Sequence, residues 1–153
     1  MGHLSFVLSI VFLNSGENYT LISGSEDQYI FIWDVLKRTV IKKLEGHALA
    51  VKTLFVSTNN RFLLSSGEDN IIRVWDLYET KLIRKLNGHV DTVNSICFSP
   101  SDYYIVSGSN DTTVKLWSFY GQLIKTFKGH TKSVRSVAFS LDGCFIYSAS
   151  ADK

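Results

Sequence analysis

Proline occurs once in 153 residues and cysteine twice, neither charge sign dominates, and the longest apolar run, Leu4–Leu13, is broken by Ser5 and Ser9. Each shortage excludes a class. One Pro and 10 Gly exclude collagen-like and low-complexity chains. Cys97 and Cys144 are too few for a disulfide framework and show no metal-ligand spacing. A net charge of +2 removes the simplest argument for nucleic acid or an anionic membrane as main partner. The Leu4–Leu13 run is too short to span a bilayer. It has no Lys or Arg flank and no small-x-small cleavage site, so it reads as a buried strand and not as a leader. The triplets Asn18-Tyr19-Thr20 and Asn110-Asp111-Thr112 match a glycosylation pattern that chance often produces. A reducing intracellular setting, cytoplasmic or nuclear, is expected. What remains is 45% apolar, enough for a real core.

The chain repeats itself. Gly-His dipeptides stand at Gly2-His3, Gly46-His47, Gly88-His89 and Gly129-His130, at spacings of 44, 42 and 41. Trp33, Trp75 and Trp117 recur every 42 residues, with Asp27, Asp69 and Asp111 six residues before them. Asp152 falls 22 residues after His130, as Asp69 does after His47. Units of 2–45, 46–87, 88–128 and 129–153 follow, with two extra residues in the Asn14–Tyr19 turn of the first.

Inside each unit, short alternating runs separated by turn residues predict strands. The first run comprises Val51–Val56, Val93–Phe98 and Val134–Phe139. Turns are marked by Asn14-Ser15-Gly16, Asn59-Asn60, Pro100-Ser101-Asp102 and Leu141-Asp142-Gly143. Second strands follow at Tyr19–Ser23, Phe62–Ser66, Tyr104–Ser107 and Phe145–Ser148. A nearly all-apolar third strand (Tyr29–Trp33, Ile71–Trp75, Thr113–Trp117) suits a sheet covered on both faces. The fourth (Val40–Leu44, Leu82–Leu86, Leu123–Phe127) is interleaved with Lys and Arg. No helical period occurs, so the chain is expected to be all-β.

Gly-His, then Ser-Gly-Ser-x-Asp, then Trp-Asp at this spacing resembles the WD-repeat β-propeller family. The resemblance covers the whole chain. Ser118 departs from it, standing where the Asp of the third Trp-Asp pair would be. It implies four-stranded antiparallel blades, three complete and half of a fourth, within a seven- or eight-bladed propeller. The missing blades are expected from a longer chain or a partner. Alone, the chain is expected to be marginal or sticky along its Phe145–Ser150 edge.

Each unit gathers one set of side chains: His3, Ser23, Asp27 and Trp33; His47, Ser65, Asp69 and Trp75; His89, Ser107, Asp111 and Trp117; and His130, Ser148 and Asp152. The combination of Ser, His and Asp invites a hydrolase reading. A catalytic triad is assembled once, however, and this set recurs in every unit. The resemblance implies instead that His links Ser and Asp while the Trp nitrogen donates to Ser, a mutually satisfied structural network. No phosphate loop, metal cluster or nucleophile motif competes, so no enzyme activity, cofactor or metal is expected. The Trp residues read as packing between blades and not as a stacking platform. Both cysteines read as small core residues in strands.

Lys37, Arg38, Lys42, Lys43, Lys81, Arg84, Lys85, Lys125 and Lys128 lie in or beside fourth strands. They read as protection of an outer edge. The alternative is a basic rim binding RNA or phosphoinositide. Function in this family is implied on one loop face, which takes peptides or protein surfaces. Carried onto this sequence, the face holds Phe6 and Leu8, Ala50 and Lys52, Thr92 and Asn94, and Ser133 and Arg135. Glu26, Glu68, Asn110 and Ala151, each preceding a network Asp, join it. The expected function is a non-catalytic scaffold recruiting proteins into a complex, by display and not by chemistry.

Overall fold

The computed structural model describes residues 2–15 and 18–152. Short β-rich runs punctuated by turn residues give fourteen strands and no helix among these residues. Blade 1 holds β1 (Val7–Ser15), β2 (Asn18–Ser25), β3 (Ile30–Asp34) and β4 (Thr39–Leu44). Blade 2 holds β5 (Val51–Val56), β6 (Phe62–Gly67), β7 (Ile72–Asp76) and β8 (Lys81–Leu86). Blade 3 holds β9 (Val93–Phe98), β10 (Tyr104–Ser109), β11 (Val114–Ser118) and β12 (Leu123–Phe127). Two strands, β13 (Val134–Phe139) and β14 (Ile146–Ser150), form the half blade 4. Every sheet is an antiparallel meander in sequence order.

Each interface between blades has its own core. Ile22, Ile30, Ile32 and Leu44 of blade 1 meet Val51, Leu54, Leu63 and Trp75 of blade 2. Leu64, Ile72, Val74 and Leu86 then meet Val93, Ile96, Phe98, Ile105 and Trp117. The third interface is thinner, with Cys97, Val106 and Val114 against Val134 and Val137. Full burial of one such aliphatic side chain contributes about 1.5–3 kcal/mol, so these seams hold the blades in sequence. Polar ties supplement them: the Leu54 amide donates to Ser9 Oγ and the Val137 amide to Ser95 Oγ, both at 3.1 Å.

Three expectations are corrected. The Leu4–Leu13 run contributes a strand, but not a buried one. Val11 and Leu13 pack inward, whereas Val7, Leu8, Ile10 and Phe12 are exposed because no sheet among the described residues covers them. The strand also runs on through Asn14 and Ser15, pairing Ser15 with Asn18, where a turn was expected. Gly16, the remaining residue of that expected turn, lies outside the described residues. Cys97 is a buried strand residue in β9, but Cys144 is exposed in the turn before β14. Among the described residues no blade covers that turn.

The third strands are covered as expected, yet not by apolar groups alone. Arg73 in β7 and Lys115 in β11 are buried. The Lys115 Nζ donates to Thr126 Oγ1 at 3.0 Å, and Arg73 reaches Asp69 and the Gly46 carbonyl at 2.7 Å each.

Candidate functional site

The structure brings each His-Ser-Asp-Trp set together. His3 Nδ1 lies 2.9 Å from Asp27 Oδ2, its Nε2 2.7 Å from Ser23 Oγ, and Trp33 Nε1 donates to that oxygen at 2.7 Å. The corresponding distances are 2.9, 2.7 and 2.8 Å around His47, and 2.7, 2.7 and 2.8 Å around His89. His130 meets Asp152 at 2.9 Å and Ser148 at 2.8 Å, with no indole present.

Donor and acceptor chemistry fixes the proton order. An ionised carboxylate only accepts, so Nδ1 carries the imidazole proton and Nε2 accepts from the Ser hydroxyl. The indole can only donate, and fills a remaining lone pair of the Ser oxygen. In the second set Arg73 Nη1 also donates to Asp69 Oδ2. Its approach to His47 Nδ1, 2.8 Å, brings two donors together that share this carboxylate.

Burial pushes the His47 and His89 pKa values down, outweighing the hydrogen bonds they donate to Asp69 and Asp111, so both imidazoles are neutral near pH 7. For Asp69, burial acts to raise the pKa. The His47 hydrogen bond and charge, the Ala48 amide and the Arg73 charge outweigh it and lower the value to about 2.

The Asp residues also tie loops together, a role the spacing alone does not reveal. Each accepts from the amide that follows its His: Leu4, Ala48, Val90 and Thr131, at 2.8–3.2 Å. Three of them also accept from Tyr29, Ile71 and Thr113 across the next turn. Ser25, Ser109 and Ser150 add a second tie, accepting from the Asp amide and donating to the carbonyl of Ser5, Asp91 or Lys132. These serines were visible as the second Ser of Ser-Gly-Ser-x-Asp. In blade 2 the position is Gly67, where a Cβ would stand 1.9 Å from the Ala50 carbonyl oxygen.

The loop-face residues are positioned by two repeated backbone features. Amides of Glu26, Glu68, Asn110 and Ala151 donate to carbonyls of Phe6, Ala50, Thr92 and Ser133, at 2.9–3.1 Å. Both groups of predicted residues therefore share one rim. The first–second strand pairing also skips one residue in every blade: Leu8, Lys52, Asn94 and Arg135. Such a bulge re-aims a side chain away from the ladder. The Val-x-Ser/Thr triplets at 7–9, 51–53, 93–95 and 134–136 are its sequence signal, which strand alternation conceals.

The rim residues differ in availability. Phe6 is 74% exposed, and Leu8, Glu26, Lys52, Glu68 and Arg135 are exposed as well. Lys52 and Glu68 stand 3.5 Å apart as an ion pair, and Ser5 Oγ donates to Glu26. Asn94 Nδ2 donates to Asn110 Oδ1 and the Val134 carbonyl, and Ser133 Oγ also donates to Asn110. These three are a tie between blades 3 and 4. Thr92 is partly buried, and Ala50, at 7% exposure, offers no side chain to a partner. Its burial follows from the close approach of its carbonyl to Gly67.

The family described as WD domain, G-beta repeat matches residues 1–34, 38–76, 80–118 and 121–153. The chain belongs to the WD-repeat family. Its matched segments run one strand ahead of the sheets, so 38–76 joins β4 of blade 1 to β5–β7 of blade 2. WD-repeat domains are propeller-type interaction modules, generally without catalytic activity, and they generally bind other proteins. No individual curated protein matched the chain. No helix is long and apolar enough to cross a membrane among the described residues.

Proposed function

We propose that this WD-repeat chain is a non-catalytic scaffold that recruits proteins into a complex inside the cell, in the cytoplasm or nucleus. Its repeat units are 2–45, 46–87, 88–128 and 129–153, and its binding surface is the bulged rim. The bulge carries the reading: one residue per blade leaves the strand ladder at the same rim position, so a rigid scaffold displays Leu8, Lys52 and Arg135 beside Phe6, Glu26 and Glu68. An apolar Phe6 flanked by charges of both signs suits a protein surface with an apolar anchor and a polar rim.

Three of the four Ser-His-Asp sets argue against a hydrolase reading. In these the Ser oxygen is buried and already accepts from an indole, which leaves no room for a substrate carbonyl. Part of the basic outer strands is also occupied. Lys37, Lys43 and Lys81 pair with Asp34, Glu45 and Glu79, and Arg84 lies over the Phe119 and Tyr120 rings.

The test is affinity purification with the intact chain, followed by the triple variant Phe6→Ala, Lys52→Ala, Arg135→Ala. These side chains are exposed, so the variant keeps its fold. Loss of the specific co-purifying proteins supports the rim. Full retention by a folded variant moves the site elsewhere.

A further inference from the structure

Two rim loops hold apolar side chains out in solvent. Blades 2 and 3 each have blade residues packed on both sides. Even so, Leu49 and Val90, in the loops entering β5 and β9, are 47% and 82% exposed. Blade 1 repeats the feature with Leu4, at the position of Val90, whereas blade 4 has Thr131 there. The loops are pinned. The Leu4 and Val90 amides donate to Asp27 and Asp111, which fixes each backbone beside its network and leaves the side chain pointing away. Apolar groups held out along one rim mark an interaction surface.

Charge says what kind of partner suits it. On the rim of blades 1–3 the cations are already engaged: Lys43 pairs with Glu45, Lys52 with Glu68 and Arg73 with Asp69. Glu26, Asp27, Asp91 and Asp111 have no Lys or Arg partner among the described residues. Burial acts to raise the Asp27 and Asp111 pKa values. Hydrogen bonds from Leu4, His3 and Tyr29 to the one, and from Thr113 and His89 to the other, outweigh it and keep both ionised. The buried His89 is neutral, so it does not cancel the Asp111 charge. A chain of net charge +2 thus carries its surplus cations on the outer strands, as at Lys42 and Lys85, and a negative field on the rim. Each of the three blades offers one apolar side chain and one exposed carboxylate: Leu4 and Glu26, Leu49 and Glu68, Val90 and Asp91.

We propose that the rim of blades 1–3 docks a partner protein segment in which Lys or Arg alternates with large apolar residues. Such docking rests on the bulged rim being the binding surface and adds the chemistry that the rim selects. Apolar groups of the segment cover Leu49 and Val90, and its cations meet Glu26 and Asp91. Apolar contact supplies the affinity, and charge steers the approach. An acidic segment of equal hydropathy is repelled by the same field.

The test uses the 153-residue chain and three dye-labelled synthetic peptides of equal length, followed by fluorescence anisotropy. One peptide alternates Lys with Leu, one Glu with Leu, and one Lys with Ser. The Lys–Leu peptide is expected to bind saturably, about tenfold tighter than either of the others, and to weaken as salt rises. Leu49→Ser with Val90→Ser should weaken its binding about tenfold and leave the salt dependence in place. Glu26→Gln with Asp91→Asn should also weaken it, and should flatten the salt dependence. All four side chains are exposed, and the new amides still accept from Ser5 and from the Thr92 amide, so both variants fold. An unchanged melting temperature verifies this. Equal binding of the Glu–Leu peptide, or Lys–Leu binding that either double variant retains in full, overturns the proposal. So does binding to phosphatidylcholine vesicles that displaces the peptide, which would identify a bilayer as the occupant. Cellular proteins kept by both double variants but lost by Phe6→Ala, Lys52→Ala, Arg135→Ala would leave the rim standing and remove its cationic-apolar selectivity alone.

Discussion

The edge of the Trp117 ring stands 2.9 Å from the point that a Cβ on Gly88 would occupy. The ring is also buried and held by its hydrogen bond to Ser107, so it cannot retreat. Gly88→Ala should therefore destabilise the chain by roughly 1–3 kcal/mol through overpacking. Gly129→Ala, the same change in the same dipeptide, should be close to neutral. Denaturant unfolding of the two variants makes the comparison, and equal losses would contradict it.

Removing the hydroxyl of Ser107 leaves the Trp117 N–H and the His89 Nε2 buried without their partner. Ser107→Ala should cost about 1–3 kcal/mol. In the exposed fourth set, Ser148→Ala takes away a single contact that water can replace and should cost much less. Melting temperatures of the two variants test the ranking.

Acid should act on the sets in two stages. His47 and His89 titrate below their ordinary 6.5 in the folded chain, so the unfolded chain binds protons first as pH falls. Their contribution to stability is present above pH 6.5 and declines as pH falls through the folded values. Asp69 titrates at about 2 when folded against 3.8 when unfolded, so its contribution is lost between those values. Both shifts have the same sign. Unfolding midpoints should be level between pH 7 and 8, fall below that range, and fall again below pH 4. A midpoint that rises on acidification would refute this.

Thr112 adopts a left-handed backbone at φ 69°, a conformation that β-branched residues tolerate poorly. The matching position in blade 2 is Asn70 at φ 63°. Thr112→Asn should raise stability by about 1 kcal/mol, read as a shifted urea midpoint.

Cys97 and Cys144 should respond differently to a thiol reagent. Burial raises the Cys97 pKa to about 11 and removes the thiol from solvent, whereas Cys144 is exposed in a turn. Native-state alkylation at pH 8, read by mass spectrometry, should modify Cys144 alone.

The repeats made the architecture legible, because His, Asp and Trp marks at a common spacing specify where each strand must bring its side chains. Strand ends were off by one or two residues, as at β2 and β10, where Gly and Ser continue the ladder. The network contacts were legible for the same reason. Exposure was not. Ile10 and Leu54 look alike in sequence, but Leu54 has blade 1 packed on it whereas Ile10, on the first blade, is exposed. Cys144 was misread likewise, since its surroundings depend on a neighbouring sheet. The bulges escaped a two-residue period because skipping one residue changes no composition.

The meander order of the sheets has a consequence for how the chain acquires its structure. Each strand bonds only to the strand before and after it in sequence, so every sheet closes through short loops. Loop-closure entropy is small for such pairings, and sheets of local pairings form faster than those joining distant segments. During synthesis blade 1 can complete once β4 has left the ribosome, and its apolar face then serves as a template for β5. The expected outcome is vectorial maturation, one blade at a time along the chain, which protease protection of ribosome-bound nascent chains would check.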